Sequence, residues 1–282
     1  MSALVAAWRV LVDAIGRFNR NDGAAMAGYI AFHGLLSIFP FLIFAATLIG
    51  ILVGDDRSYQ IIEALFKLAP EHVAMTLEPV VNDVLDNQSG RVLTVAGLFA
   101  IWTASNGINA FRLAFDRAYQ VDDPRGFFKN RAIAIGLVFL GAIVAALLGV
   151  SIILSPLLIS LAEKYSHLTI PAFAGEIIYA FGIVVFAAFV LVMHRTLPGR
   201  DLPGAWNWPG VAITTLIWVM AAGGFSIYLS YTPTYSITYG TLSGVIITLM
   251  FFYITGGTII FGAEINAAMN ARQRRSLDRT ET

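Results

Sequence analysis

Long apolar runs separated by short polar segments dominate this chain. Six of them, at about 24–53, 92–113, 132–162, 172–194, 210–230 and 240–267, are long enough to cross the ~30 Å hydrocarbon core of a bilayer as α-helices. Residues 2–20 differ, because their arginines lie away from a single apolar helical face, as in a helix lying in the membrane interface. That face carries Leu4, Trp8, Leu11, Val12, Ile15 and Phe18.

The pattern therefore predicts an all-α polytopic membrane protein. We expect an interfacial amphipathic helix over 1–22, a six-helix transmembrane bundle over 23–271 and a basic tail over 272–282. An outer loop over 54–91 shows two short amphipathic patterns split at Pro70, which we expect to lie on the bundle or the membrane surface. Pro40, inside the first span, removes a backbone donor, so we also expect a helix kink there.

Composition supports a membrane protein. The chain is 57% hydrophobic and 13% charged, whereas soluble domains are nearer a quarter charged. Its net charge is zero, which gives nucleic-acid binding no electrostatic support, and it has no cysteine for disulfides or thiol chemistry. No cleavable signal peptide is expected, because charged residues interrupt the N-terminal apolar pattern.

The basic residues predict the orientation of the spans. The N-terminus, residues 112–131, residues 195–209 and the tail hold 14 of the 18 Lys and Arg residues, and the loops 54–91 and 163–171 hold the other four. Because cytoplasmic loops carry the excess of positive charge, both termini are predicted to be cytoplasmic.

Polar side chains inside the spans gather in the half of the membrane that this orientation makes cytoplasmic. Buried polar groups in hydrocarbon need partners or water. Any single Ser or Asn is more simply explained as a helix–helix hydrogen bond, whereas the whole set favours a hydrated cavity open to the cytoplasm. The set consists of His33, Ser37, Asn106, Asn109, His194, Glu264 and Asn266.

Glu264 lies near the end of the last span, where a carboxylate opposes the helix dipole. It either faces headgroups and water or is held by a cation at a functional site. The candidate cations, for Glu264 or for an anionic ligand, are Arg112, Arg117, Arg125 and Arg131. The positive-inside bias alone also explains most of these arginines.

Enzyme signatures are missing from the sequence. The four histidines are scattered and form no metal-binding spacing, Ser37 precedes a proline rather than occupying a G-x-S-x-G turn, and no phosphate-binding loop is present. We therefore predict no catalytic residue, no metal, no cofactor and no enzymatic activity.

Several short stretches resemble the YihY/BrkB family of bacterial inner-membrane proteins, in order, across nearly the whole chain. Departures from the family pattern are His33-Gly34, Asp116 and Trp208-Pro209-Gly210-Val211, and Asp116 puts a polar role for that position in doubt. The matching stretches are Ala27-Gly28-Tyr29, Leu36-Ser37-Ile38-Phe39-Pro40, Trp102-Thr103-Ala104-Ser105, Ala118-Tyr119, Arg125, Arg131, Leu197-Pro198, Phe225-Ser226-Ile227-Tyr228, Tyr239-Gly240 and Gly262-Ala263-Glu264-Ile265-Asn266-Ala267.

The resemblance implies six spans in the bacterial inner (plasma) membrane, and it implies little about activity. Family members have carried the label of a tRNA-processing ribonuclease, ribonuclease BN, and others are linked to serum resistance or to envelope-lipid export. A ribonuclease fits this sequence poorly, because no metal cluster, basic face or soluble domain is evident.

Two classes of function remain open. One is a transporter or flippase-like exporter of an anionic or amphiphilic envelope molecule, a small molecule or a lipid, working through the cytoplasm-facing cavity. The other is a non-transporting membrane scaffold for envelope partner proteins. The bilayer is the expected partner in both, nucleic acid is not expected, and the sequence leaves a homo-oligomer open.

Overall fold

The computed structural model describes residues 3–54, 78, 81–83, 85–86, 90–166, 174–199, 207–231 and 242–278, and these residues contain helices but no strand. In chain order the helices are α1 (Ala3–Arg20), α2 (Gly23–Val53), α3 (Gly90–Tyr119), α4 (Phe127–Ser166), α5 (Ala174–Thr196), α6 (Trp208–Tyr231) and α7 (Ser243–Asp278).

Helices α2 to α7 each contain a segment long and apolar enough to cross a membrane. This confirms the predicted all-α fold with six spans, whereas the side of the membrane on which the termini lie stays a prediction. The last helix is longer than expected, since α7 continues to Asp278 through much of the predicted tail. No Gly or Pro follows Gly262, and the Arg and Gln residues there are good helix formers.

Most of the predicted outer loop, 54–91, lies outside the described residues, including the proposed break at Pro70. Its described residues before Gly90 are helical at 78, 81–83 and 85–86. Val81 and Leu85 are buried in one apolar cluster with Ala46 and Leu42 of α2. Pro40 lies inside α2, which continues to Val53; the kink stays a prediction.

The chain divides into two compact units, which we describe separately. Unit 1 comprises Met1–Gly23, Arg112–Val219 and Thr258–Thr282, and unit 2 comprises Ala24–Phe111 and Met220–Gly257. In unit 2, two glycines leave room for an aromatic ring of a neighbouring helix. A Cβ on Gly34 of α2 would lie 3.1 Å from the ring of Phe252 in α7, and a Cβ on Gly97 of α3 would lie 2.8 Å from the ring of Phe44 in α2. Such small residues allow membrane helices to approach closely.

In unit 1, glycines again allow helices to pack tightly. Helix α4 packs along α5, where a Cβ on Gly141 would lie 3.3 Å from the ring of Phe189. At the contact between α6 and α7, a Cβ on Gly210 would clash with the carbonyl oxygen of Gly262, and one on Gly262 would clash with the hydroxyl of Thr214. No larger residue fits at either glycine without movement of the backbone.

Helix α1 uses two sides of its surface. Ala14 is fully buried, and the ring of Phe18 packs edge-on against Phe261 of α7 with centroids 6.0 Å apart. Trp8, Val12 and Ile15 of the predicted apolar face remain 64%, 50% and 48% exposed. An exposed apolar stripe on an amphipathic helix is suited to the membrane interface, where we expect it to lie.

Candidate functional site

Asn266 of α7 caps the beginning of α6. Its Oδ1 accepts a hydrogen bond from the N–H of Gly210 at 2.7 Å, and its Nδ2 donates to the carbonyl of Asn207 at 2.9 Å. The first N–H groups of a helix have no partner within that helix, so this side chain satisfies one of them from a distant helix. The two backbone partners also determine which end of the amide is oxygen and which is nitrogen.

His194, near the end of α5, lies against the same amide. Its Nδ1 is 3.3 Å from Nδ2 of Asn266 and 3.1 Å from the hydroxyl of Tyr119. Because the amide nitrogen can only donate, Nδ1 acts as the acceptor, and the neutral ring carries its hydrogen on Nε2.

The other ring nitrogen of His194 is unsatisfied. The residue is 1% exposed, its ring lies 4.8 Å from that of Phe115, and Nε2 has no hydrogen-bond partner among the residues that the structure describes. A buried donor without an acceptor costs about 1–3 kcal/mol. Nε2 therefore marks a position where a water molecule or a ligand atom would be stabilising.

Glu264, two residues before Asn266, is fully buried. Its Oε1 accepts a hydrogen bond from Nδ2 of Asn21 at 2.6 Å, while Oε2 has no partner within the described part of the chain. The charges of Arg17 and Arg20 in α1 favour the carboxylate and that of Asp13 opposes it, and Arg17 itself pairs with Asp13 at 3.4 Å. The packing of Phe18 on Phe261 brings the end of α1 to this carboxylate.

The arginines proposed as partners of Glu264 make other contacts. Arg112 binds Asp123 at 2.6 Å and Asp116 at 3.2 Å, and Arg117 binds Asp22 at 3.3 Å. The hydrogen bond that Oε1 of Glu264 accepts comes from the neutral amide of Asn21, which lies outside the 112–131 region. Helix α1 was expected only as a membrane-surface element, so its contribution was missed.

Arg125 fastens the connection between α3 and α4 to the end of α5. Its guanidinium binds Asp123 at 2.9 Å and donates to the carbonyls of Thr196 at 3.0 Å and Leu197 at 2.6 Å. Asp116 accepts from the N–H of Gly199 at 2.7 Å. The fourth candidate, Arg131, is half-buried on α4.

Asp123 is the centre of this ionic network. Burial alone would raise the pKa of Asp123, but hydrogen bonds from Arg125 and Asn130 and the positive charge of Arg125 outweigh burial and hold that pKa well below its usual range. The chain reverses just before Asp123, since Gln120, directly after α3, has a left-handed φ of 54° and the N–H of Val121 donates to the carbonyl of Asp116.

The remaining predicted residues belong to unit 2. His33 is half-buried, with Tyr29 edge-on at 4.5 Å, and its Nδ1 lacks a hydrogen-bond partner within the described ranges. Ser37 donates to the carbonyl of Gly34 in its own helix at 2.8 Å. Asn106 and Asn109 are half-buried on α3.

Of the seven residues predicted to line the cavity, His194, Glu264 and Asn266 lie in unit 1. The other four, His33, Ser37, Asn106 and Asn109, lie in unit 2. A single cavity shared by all seven remains a prediction. Sequence reasoning missed Asn21 and Tyr119, although Tyr119 lies in one of the family-like stretches. Among the described residues, no three His, Asp or Glu side chains come together in a way that could hold a metal ion.

Comparisons with known proteins place the chain among bacterial membrane proteins. The family described as "Virulence factor BrkB" matches residues 14–282. The chain is 31% identical over 269 residues to the ribonuclease-like protein YfkH of Bacillus subtilis (strain 168), covering 94% of this chain and 96% of that protein. It is 26% identical to the UPF0761 membrane protein VP0125 of Vibrio parahaemolyticus, covering 89% of this chain and 79% of that one.

A second UPF0761 membrane protein, from Chromohalobacter salexigens, is 25% identical over 269 residues, and the chain spans 64% of its length. No solved structure matches the chain. The match over residues 14–282 and the similarity to YfkH over nearly the full length of both proteins show that this chain belongs to the BrkB family of membrane proteins.

Proposed function

We propose that this protein transports an anionic or amphiphilic envelope molecule across the bacterial inner membrane, through a polar cavity open to the cytoplasm. The observation that carries the proposal is the pair of buried ionisable residues Glu264 and His194. Each lies in a membrane-spanning segment, and each keeps one polar atom without a partner among the described residues.

The energetic cost of these two groups favours transport over a scaffold. An unsatisfied buried polar atom costs about 1–3 kcal/mol, and the cost is higher for a charged one. A bundle that only holds partner proteins gains nothing from such groups, whereas ionisable residues inside membrane spans are typical of substrate and ion pathways. Water or a passing substrate would remove the cost at Oε2 of Glu264 and at Nε2 of His194.

Engineered cysteines test whether water reaches the predicted cavity, and the chain has no native cysteine to interfere. A thiol reacts with a polar maleimide as the thiolate in water, so labelling reports hydration. We expect Ser37→Cys, Asn106→Cys and Asn109→Cys to react with a membrane-impermeant maleimide in inside-out vesicles. The apolar controls Leu98→Cys and Val138→Cys should remain unlabelled.

A second pair of variants probes the surroundings of Glu264. Ala268 is fully buried one helical turn after Glu264, on the same face, while Ala46 is 2% exposed within the apolar cluster of α2. We expect Ala268→Cys to react and Ala46→Cys not to react. If both the polar positions and Ala268→Cys label no faster than their controls, the cavity is dry and the scaffold function replaces transport.

We do not extend the ribonuclease-like name of YfkH to this chain. The sequence carries no net positive charge and no nucleic-acid-binding motif. Cleavage of a tRNA precursor by the purified protein, at a rate that follows the protein through purification, would contradict this part of the proposal.

A further inference from the structure

A groove of about 690 Å³ lies between α4 and α5 in unit 1. One face of α4 forms one wall, with side chains that recur at helical spacing: Lys129, Ile133, Gly136, Leu137 and Leu140. The other wall is the end of α5 and the residues that follow it, including Arg195 and Thr196. The groove is therefore polar at one end and apolar along the rest of its length.

The length of the groove along α4 matches half a bilayer. From Lys129 to Leu140 the helix rises about 16 Å, roughly half of a ~30 Å hydrocarbon core. One residue further, the ring of Phe189 lies over Gly141 and brings the two helices together. The groove thus extends from the helix ends to about the depth of one leaflet.

The charge at the polar end is positive. Arg125 also lines the groove, but Asp123 and two backbone carbonyls occupy its guanidinium. Lys129 and Arg195 are exposed and form no ion pair with any described residue. No carboxylate is among the lining residues, so these two cations present an uncompensated positive charge at the groove mouth.

We propose that this groove binds one anionic phospholipid, with Lys129 and Arg195 at its headgroup phosphate and Ile133, Leu137 and Leu140 along an acyl chain. Basic pockets at the ends of transmembrane helices bind anionic headgroups in this way. A free phosphate would need the two cations but not the apolar wall along the rest of the groove, so the combination favours a lipid. The site goes beyond the proposed transport, because it holds whether or not the protein moves a substrate.

The test uses the full-length protein in nanodiscs that contain phosphatidylcholine with increasing amounts of phosphatidylglycerol, followed by native mass spectrometry of the lipid retained on release. Each surface cation contributes about fivefold to the affinity for an anionic lipid. Lys129→Gln combined with Arg195→Gln should therefore weaken phosphatidylglycerol retention by about 25-fold. The charge-preserving pair Lys129→Arg and Arg195→Lys should retain the lipid nearly as well as the unmodified protein.

The control for charge is Arg91→Gln, since Arg91 is an exposed cation beside a different, apolar groove in unit 2. The control for shape is a matched glycine pair. A Cβ would meet no atom within 4 Å at either Gly136, in the groove, or Gly175, outside it. Gly136→Leu should reduce retention by blocking the apolar wall, and Gly175→Leu should leave it unchanged.

Four results would overturn the lipid site. If the double Gln variant retains as much phosphatidylglycerol as the unmodified protein, Lys129 and Arg195 do not bind the lipid. If Arg91→Gln loses as much phosphatidylglycerol as the double Gln variant, the binding reflects general attraction between the protein's charge and the membrane. Unchanged retention in Gly136→Leu would exclude the apolar wall. Displacement of the lipid by inorganic phosphate at equal concentration would identify a free-anion site instead. The cysteine-labelling result bears on transport alone, so the two proposals fail separately.

Discussion

Replacing Asn266 by alanine is expected to destabilise the protein more than any other single loss of an amide among the described residues. The side chain is fully buried and bonds the N–H of Gly210, the carbonyl of Asn207 and Nδ1 of His194. The alanine variant leaves the Gly210 N–H without its side-chain partner at the beginning of α6, and it leaves a space where the amide was.

The three contacts are not equal in cost. The orphaned Gly210 N–H accounts for about 1–3 kcal/mol. The carbonyl of Asn207 still accepts from the N–H of Val211, and Nδ1 of His194 still has the hydroxyl of Tyr119 beside it. These two losses add about 0.5–1 kcal/mol each, near the average for polar contacts within membranes. The expected total is about 2–5 kcal/mol, or roughly 4–20 °C in melting temperature.

Thermal unfolding in detergent, followed by size-exclusion chromatography of the surviving protein, measures this loss. The matched control is Asn109→Ala, because Asn109 is a half-buried membrane asparagine with no hydrogen bond to another described residue. Its loss should stay below about 1 kcal/mol. His194→Ala combined with Asn266→Ala should be less than additive, since the two side chains share a contact. Equal melting temperatures for Asn266→Ala and Asn109→Ala would refute the capping role of Asn266.

Further predictions concern packing and acid stability. Gly262→Ala should cost about 1–3 kcal/mol of unfolding free energy because its Cβ would clash with Thr214, whereas Gly223→Ala should be neutral or stabilising by up to about 1 kcal/mol because its Cβ meets nothing within 4 Å. Equal melting temperatures for the two variants would contradict this. The pKa of Asp123 is lower in the folded protein than in the unfolded chain, where it is about 4. The ionised Asp123 therefore stabilises the folded protein above pH ~4, and this contribution is lost as the pH falls below that value. Asp123→Asn should therefore lower the melting temperature at pH 7 and flatten its decline between pH 5 and pH 3, and an unaltered pH profile would show that Asp123 does not contribute.

The six spans could be predicted because hydrophobic runs of bilayer length have few other structural solutions in a chain this apolar. The same logic identified His194, Glu264 and Asn266 as polar groups in apolar helices, and all three are buried. Their partners could not be predicted. Asn21 and Glu264 are 243 positions apart, and the sequence shows where charge is but not which helix ends meet.

The arginine hypothesis for Glu264 illustrates the limit. Charge arguments favoured the cluster at 112–131, yet the acids nearest in the chain, Asp116 and Asp123, pair with Arg112. The connection between α3 and α4 is short enough for its own acids and bases to reach one another. An uncharged Asn21 gave no comparable signal, because amides occur at the end of many helices without any distant contact.

The contact between Asn21 and Glu264 also has a consequence for biosynthesis. Unit 1 contains both Met1–Gly23 and Thr258–Thr282, whereas every segment of unit 2 has been translated once residue 257 is made. Helix α1 is thus made before α7, and Phe18 and Asn21 find their partners only once the end of α7 has been made. In ribosome-bound chains halted after Gly257, we expect Asn21→Cys to be labelled, and labelling should fall once α7 is complete. A protease would then cleave α1 more readily in chains whose α7 is incomplete than in chains whose α7 has been made.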